Sequence, residues 1–164
     1  MSDSWYKVDN VAKVFLATAS QRDPRVFRVS CTLQEDIDPD TLNTALRATA
    51  QEWPQFQVTL HRGLFWHYFE STDQLPTAQP ETKAPCAPLY TPERRNKLIY
   101  RVTYFGARIN LEMFHALTDG NGGLLYLKSI VRNYLALRHP GEMENVPSPN
   151  SASAGDMAQD LSLI

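Results

Sequence analysis

The stretch RINLEMFHALTDGNGG, residues 108–123, joins an alternating segment to a turn that contains glycines. In residues 108–114 apolar and polar side chains alternate, which is typical of a strand. Asp119 and Gly120 precede a run whose apolar residues recur at helical spacing. His115 lies directly after the predicted strand. The stretch therefore predicts a strand, a turn with a histidine, and a helix, in that order.

The alternation also predicts which way the histidine faces. His115 shares its parity with Ile109, Leu111 and Met113, so we expect the imidazole to face inward with them. Burial disfavours the imidazolium, and a neutral imidazole accepts a proton near neutral pH. It could serve as a general base for a hydroxyl or amine nucleophile. A structural interpretation stays open, in which Asp119 caps the helix, the glycines relax the turn and the histidine is an ordinary core residue.

Hydrophobic periodicity predicts the other elements. Strands are expected at residues 25–33, 57–61, 64–69 and 97–105, with tight turns at Arg62-Gly63 and Gly106-Ala107. Helices are expected between Pro39 and Pro54, with Asp38 as N-cap, and over residues 122–138. Five prolines predict a long loop over residues 75–92. This order favours an α/β (α+β) sandwich, in which a mixed, mostly antiparallel sheet is covered by two main helices.

The composition fits one globular domain. The chain has 164 residues, of which 43% are apolar, and we place the domain at 1–139 and a poorly ordered linker or tail at 140–164. A net charge of -2 without a basic cluster argues against a nucleic-acid partner. Since we find no apolar run of about 20 residues and no secretion signal, we expect no membrane partner and a cytoplasmic location. Cys31 and Cys86 lie far apart, so no metal site is predicted.

The pattern His115-x-x-x-Asp119-Gly120, after a hairpin and before a helix, resembles the HxxxDG signature of the coenzyme A-dependent acyltransferase superfamily. That superfamily includes chloramphenicol acetyltransferase and the condensation domains of peptide synthetases. Four further segments are similar to the N-terminal half of bacterial alcohol acetyltransferase-like proteins, namely residues 26–30, 62–66, 85–90 and 108–112. The resemblance extends from Trp5 to about His139 and implies a chloramphenicol acetyltransferase-like half-domain.

The resemblance implies a role for each residue of the motif. His115 would be the catalytic general base, which takes a proton from an alcohol or amine acceptor as the acceptor attacks acyl-CoA, the co-substrate. Asp119 would pair with an arginine and hold the motif loop, and Arg28 and Arg101 are the candidate partners. Gly120 would leave room beside the histidine. Neither a metal nor a covalently bound cofactor is implied.

The resemblance also implies a shared site. Alcohol acetyltransferase-like proteins join two such halves, and chloramphenicol acetyltransferase completes its site between subunits, so we expect self-association or a missing C-terminal half. Phe114 stands where condensation domains usually carry a second histidine, and Gln57 where they often carry an arginine. Acyl transfer to a small molecule is therefore expected rather than peptide-bond formation. The alternative is a non-catalytic fragment or protein-interaction module with the same fold.

Overall fold

The computed structural model describes residues 5–8, 10–20, 23–81, 84–91 and 96–142. Its elements are β1 Trp5–Lys7, α1 Asn10–Thr18, β2 Val26–Thr32, α2 Pro39–Glu52, a 3-10 turn at Pro54–Phe56, β3 Val58–Arg62, β4 His67–Ser71, β5 Gln79–Pro80, β6 Tyr100–Phe105, β7 Arg108–Phe114 and α3 Gly120–Arg138. The tail predicted at 140–164 lies, from residue 143 onward, outside the described residues.

The larger sheet has four strands in the order β2-β7-β6-β5. β7 is antiparallel to β2 and to β6, whereas the short β5 is parallel to β6. Helices α2 and α3 pack together on one face, where Leu46 and Ile130 join Ile109, Leu111 and Met113 in one buried cluster. The predicted sandwich of a mixed, mostly antiparallel sheet and two main helices is confirmed.

β3 and β4 belong to a second sheet, which the sequence patterns did not distinguish from the first. This sheet has the order β1-β4-β3, and all of its strands are antiparallel. One bridge, between Thr59 and Leu98, links it to the chain that enters β6. Helix α1, which the sequence patterns did not predict, places Ala12 in a buried cluster with Val58 and Leu60 of β3. Strand partners depend on long-range register, which local periodicity does not specify.

The turn between β3 and β4 is longer than the predicted two-residue turn at Arg62-Gly63. Arg62 pairs with His67, so residues 63–66 form the turn, and the Gly63 N–H donates to the Trp66 carbonyl at 2.7 Å. The predicted strand from Leu64 therefore begins three residues too early. Its apolar residues suggested a strand, but they lie in the turn and are exposed.

The turn between β6 and β7 agrees with its prediction. Phe105 pairs with Arg108, which leaves Gly106 and Ala107 as the two central residues. Gly106 has φ 53°, a left-handed conformation that glycine adopts without strain. A type II′ turn requires this conformation at its first central position.

Both main helices begin at a capping aspartate. Asp38 accepts the Thr41 N–H at 2.8 Å, and Pro39 occupies the first helical position, as predicted. Asp119 accepts the Gly122 N–H at 2.8 Å, so α3 begins two residues before the predicted start.

Among the described residues, neither of these helices nor any other has the length and apolar character to span a bilayer.

Candidate functional site

His115 lies just beyond β7, beside the start of β2. Its backbone N–H donates to the Arg25 carbonyl at 2.8 Å. Its ring packs against Phe15 of α1 and Phe27 of β2, with ring centroids 5.0 and 4.5 Å away. Phe27 also packs against the main core, and the His115 side chain is half-buried. Two aromatic rings therefore fix the imidazole, while part of the residue stays accessible.

The surroundings of His115 favour its neutral form. Burial lowers the pKa of His115, and the positive charge of Arg25 lowers it further, while Asp119 opposes the shift. The net pKa lies below the ordinary value of 6.5. At neutral pH the imidazole is therefore uncharged, and one ring nitrogen offers a lone pair that can accept a proton.

The residue that accepts the His115 N–H has an unusual backbone. Arg25 has φ 54°, in the left-handed region that residues with a Cβ seldom adopt. Asp23 supports this conformation, because its carboxylate accepts the Arg25 N–H at 3.3 Å and lies 3.3 Å from the Arg25 Nε. Strained residues of this kind are concentrated at functional sites. This turn directs the Arg25 carbonyl to the His115 backbone.

Asp119 does not pair with Arg28 or Arg101, the two arginines expected as its partners. It lies exposed at the N-cap of α3, where its carboxylate accepts the Gly122 N–H. In the described part of the chain, Arg28 and Arg101 both bind Glu112 instead. Strand register explains the difference, because both arginines lie directly opposite Glu112 on the neighbouring strands. The capping interpretation of Asp119 is confirmed, and the predicted pairing with Arg28 or Arg101 was wrong.

Glu112 joins three segments on the face of the sheet opposite the two main helices. Its carboxylate is buried and accepts hydrogen bonds from Arg28 Nε at 2.9 Å, Arg101 Nε at 2.5 Å and the Cys86 N–H at 2.8 Å. Burial raises the pKa of Glu112, but the three donors outweigh burial and the net pKa is lowered. The ionised carboxylate therefore holds β2, β6 and the loop at Cys86 against β7, the strand that leads to His115.

Close packing requires glycine at two positions after the motif. A Cβ at Gly123 would lie 2.6 Å from the Phe27 ring, and one at Gly122 would lie 2.0 Å from Thr118 Oγ1. A Cβ at Gly120 would meet no heavy atom within 4 Å. The space at Gly120 is therefore open, and the steric requirement for glycine falls on the next two glycines, of which Gly123 lies beside Phe27, a neighbour of the imidazole.

Three residues of the site were not predicted from the sequence. Phe15 and Phe27 come from segments distant in sequence from His115, and their contacts depend on the fold. Pairing the strand at residues 25–33 with the strand that leads to the motif could have found Phe27, which lies opposite Met113. No local pattern marks the left-handed conformation of Arg25.

In the part of the chain that the structure describes, neither a cluster of metal ligands nor the cavity at the end of α2 includes His115. Within the described ranges, no group of three or more His, Cys, Asp or Glu side chains could hold a metal ion. An open cavity of about 450 Å³ lies beside the end of α2 and includes Gln57 and Thr72. Its lining contains none of the site residues predicted from the motif.

Comparison with known proteins identifies the fold. No protein-family profile matches the chain, and no curated protein sequence matches it. The SgcC5 protein from Streptomyces globisporus, in complex with (R)-(-)-1-(2-naphthyl)-1,2-ethanediol and sucrose, has a TM-score of 0.65 and 14% identity, over 97% of this chain and 43% of its own. A variant of the starter condensation domain of rhizomide synthetase RzmA, in complex with C8-CoA, has a TM-score of 0.64 and 13% identity, over 97% and 44% of the two chains.

A third similar structure is the complex of the X-domain and OxyB from teicoplanin biosynthesis. It has a TM-score of 0.61 and 16% identity, over 98% of this chain and 40% of its own. The chain thus spans less than half the length of each of these structures. It has a condensation-domain-like fold, of which it forms one half-domain.

Proposed function

We propose that this chain is an acyltransferase half-domain in which His115 is the general base. The reaction transfers an acyl group from acyl-CoA to an alcohol or amine. The observation that carries the proposal is the half-buried imidazole at the end of β7, packed against two aromatic rings, with its pKa lowered. A base of this kind is neutral at physiological pH and needs no prior deprotonation.

The chemistry follows from the lone pair on the imidazole. As the acceptor oxygen or nitrogen attacks the thioester carbonyl carbon, its proton moves to the imidazole. The carbon–sulfur bond then breaks, and the thiolate leaving group takes the proton from the imidazolium. The products are the ester or amide and free coenzyme A, and the imidazole returns to its neutral form. The step requires neither a metal nor a covalently bound cofactor.

Structures with the same fold support the choice of substrates. One neighbour is in complex with C8-CoA, and another is in complex with a diol. The motif His115-x-x-x-Asp119-Gly120 supports the choice of base. Because the chain spans less than half of these neighbours, we infer that a second half or a second copy supplies the remaining wall of the site.

The test compares the intact chain with His115→Ala, with octanoyl-CoA as donor and a panel of alcohols and amines as acceptors, and measures release of free coenzyme A. We expect a loss of at least about 100-fold, the usual contribution of a general base. His139→Ala is the control, since His139 binds Glu35 at the C-terminus of α3 and should turn over like the wild type. Measurable turnover by the wild type that His115→Ala equals would contradict the proposal.

A second candidate function is a protein-interaction module. A neighbour of the same fold, the X-domain from teicoplanin biosynthesis, is in complex with the protein OxyB. Titration calorimetry with octanoyl-CoA separates the two functions. Donor binding that competes with free coenzyme A supports the acyltransferase, whereas a folded chain that binds no donor supports the interaction module.

A further inference from the structure

The turn between β3 and β4 exposes three consecutive large apolar side chains. We call residues 63–66 the hairpin tip. Leu64 is 85% exposed, Phe65 84% and Trp66 54%. The other large apolar side chains exposed in the described ranges are separated from one another in sequence, namely Val14, Leu75, Phe105, Leu124 and Leu137. A contiguous exposed apolar patch of this kind marks an interaction surface.

The backbone of the hairpin tip is ordered. The Gly63 N–H donates to the Trp66 carbonyl, and the pair Arg62 and His67 lies directly below the turn. Strands β3 and β4 remain paired along their full length, from Arg62 to Val58. Binding through the hairpin tip therefore requires little additional ordering of the backbone.

One positive charge, that of Arg62, lies beside the hairpin tip. Residues 58–69 contain no Asp or Glu, and the exposed Arg62 directly precedes the tip. Glu70, the nearest acidic residue along β4, lies opposite Thr59 and binds His61 Nε2 at 2.9 Å. Tryptophan favours the boundary between headgroups and acyl chains, and arginine is attracted to acidic headgroups. This chemistry complements an anionic lipid surface.

The size of the hairpin tip argues against a stable protein dimer. A stable protein interface buries about 800 Å² on each partner. A fully exposed aromatic side chain contributes about 150–250 Å² when it is buried, but Phe65 is 84% and Trp66 only 54% exposed, so these two side chains supply roughly 200–350 Å², less than half of that area. Shallow insertion at a membrane surface needs only a few apolar side chains and nearby positive charge.

We propose that the hairpin tip binds the surface of an anionic lipid membrane. Leu64, Phe65 and Trp66 enter the boundary between headgroups and acyl chains, and Arg62 contacts acidic headgroups. The sequence argued against a membrane partner because we find in it neither an apolar run long enough to span the bilayer nor a secretion signal. The hairpin tip makes a contact of another kind, which needs no such run.

The test measures co-sedimentation of the full chain with phosphatidylcholine vesicles, with and without phosphatidylserine. We expect binding to the mixed vesicles and weaker binding to the neutral ones. Leu64→Ser/Phe65→Ser should lower the partition coefficient at least about tenfold, because both large apolar groups are lost. Arg62→Ala should lower binding to the mixed vesicles about fivefold and leave binding to neutral vesicles unchanged.

Phe105→Ser is the matched control, because Phe105 is 68% exposed beside the other hairpin turn. We expect this variant to bind like the wild type. Failure of the wild type to bind mixed vesicles overturns the proposal, and so does unchanged binding by the folded double variant. Sedimentation velocity identifies the competing occupant: a wild-type dimer that the double variant abolishes, without vesicle binding, assigns the hairpin tip to a second copy of the chain.

Discussion

Gly123 controls how closely α3 approaches the aromatic ring beside His115. A Cβ there would lie 2.6 and 2.8 Å from two atoms of the Phe27 ring. The ring cannot move freely, because it packs against His115 and the main core. We expect Gly123→Ala to lower the free energy of unfolding by about 1–3 kcal/mol, the usual cost of overpacking. Urea denaturation measures this change, and the NMR signals of the His115 ring should shift.

Gly120→Ala is the control for that substitution, since a Cβ at Gly120 meets no heavy atom within 4 Å. Gly120 is the first residue of α3, where alanine reduces the entropy of the unfolded chain. We expect this variant to be unchanged or more stable by up to about 1 kcal/mol. If Gly123→Ala and Gly120→Ala destabilise the chain equally, contact with the Phe27 ring is not the reason that position 123 requires glycine.

Asp119 can be tested as a cap. Asp119→Ala removes the acceptor for the Gly122 N–H and should cost about 0.5–2 kcal/mol of stability, whereas Asp119→Asn retains an acceptor oxygen and should cost less. Thermal unfolding measures both. A carboxylate paired with a buried arginine would behave differently, because loss of its charge would cost about 3–5 kcal/mol. A loss of that size in Asp119→Asn would restore the ion-pair interpretation.

The positive charge of Arg25 has a measurable effect on His115. Arg25→Gly removes the guanidinium and keeps a residue that adopts φ 54° without strain. Because a cation disfavours the imidazolium, we expect the pKa of His115 to rise in this variant, although burial, the larger cause, keeps it below 6.5. An NMR titration of the histidine rings measures the pKa, with His115→Gln used to assign the signal. An unchanged or lower pKa would contradict the assignment.

Glu112 links β2 and β6 to β7, because it accepts hydrogen bonds from an arginine on each of these two neighbouring strands. Glu112→Ala leaves Arg28 and Arg101 beside each other without the carboxylate, and their side chains are only 18% and 17% exposed. We expect a loss of about 3–5 kcal/mol. Glu70→Ala is the control, because the Glu70 side chain is 39% exposed and its partner is His61, so we expect a loss of at most about 1 kcal/mol. Equal losses in urea denaturation would contradict this role of Glu112.

The elements that the sequence predicted are those set by local chemistry. Helix α2 has a capping aspartate, a proline at its first position and a regular apolar face, all of which are visible in the sequence. The Gly106-Ala107 turn is defined by one glycine. By contrast, the second sheet depends on pairing β1 with β4, which are far apart in the chain. The start of β4 was misplaced because the exposed residues Leu64 and Phe65 resemble a strand.

The candidate site likewise contains features that follow from local sequence and features that depend on long-range strand pairing. Strand parity predicted that His115 follows the apolar series of β7, and its contact with Phe27, which packs against the main core, fits that prediction. The partner of Asp119 could not be predicted, because strand register rather than proximity in sequence places Arg28 and Arg101 opposite Glu112. The contribution of Phe15 requires α1, whose position depends on the second sheet.

For the whole molecule, the shifted histidines and carboxylates predict how stability depends on pH. The pKa values of His67 and His115 are lowered, mainly by burial, from an ordinary value of 6.5. The pKa of Glu81 is lowered by hydrogen bonds from Arg28 and Arg108, and that of Glu112 is lowered by donors that outweigh burial, from 4.5. In all four groups the unfolded chain binds protons at a higher pH than the folded chain.

The free energy of unfolding should therefore fall as the pH falls, because the unfolded state takes up more protons. As the pH drops through about 6.5, the histidines of the unfolded chain take up protons first and lower the free energy of unfolding. The carboxylates do the same below about 4.5. Urea denaturation at a series of pH values measures both stages. In His67→Gln/His115→Gln, the free energy of unfolding should depend less on pH near 6.5. In Glu112→Gln, it should depend less on pH below about 4.5. An upper stage that persists in the double histidine variant would show that other groups control it.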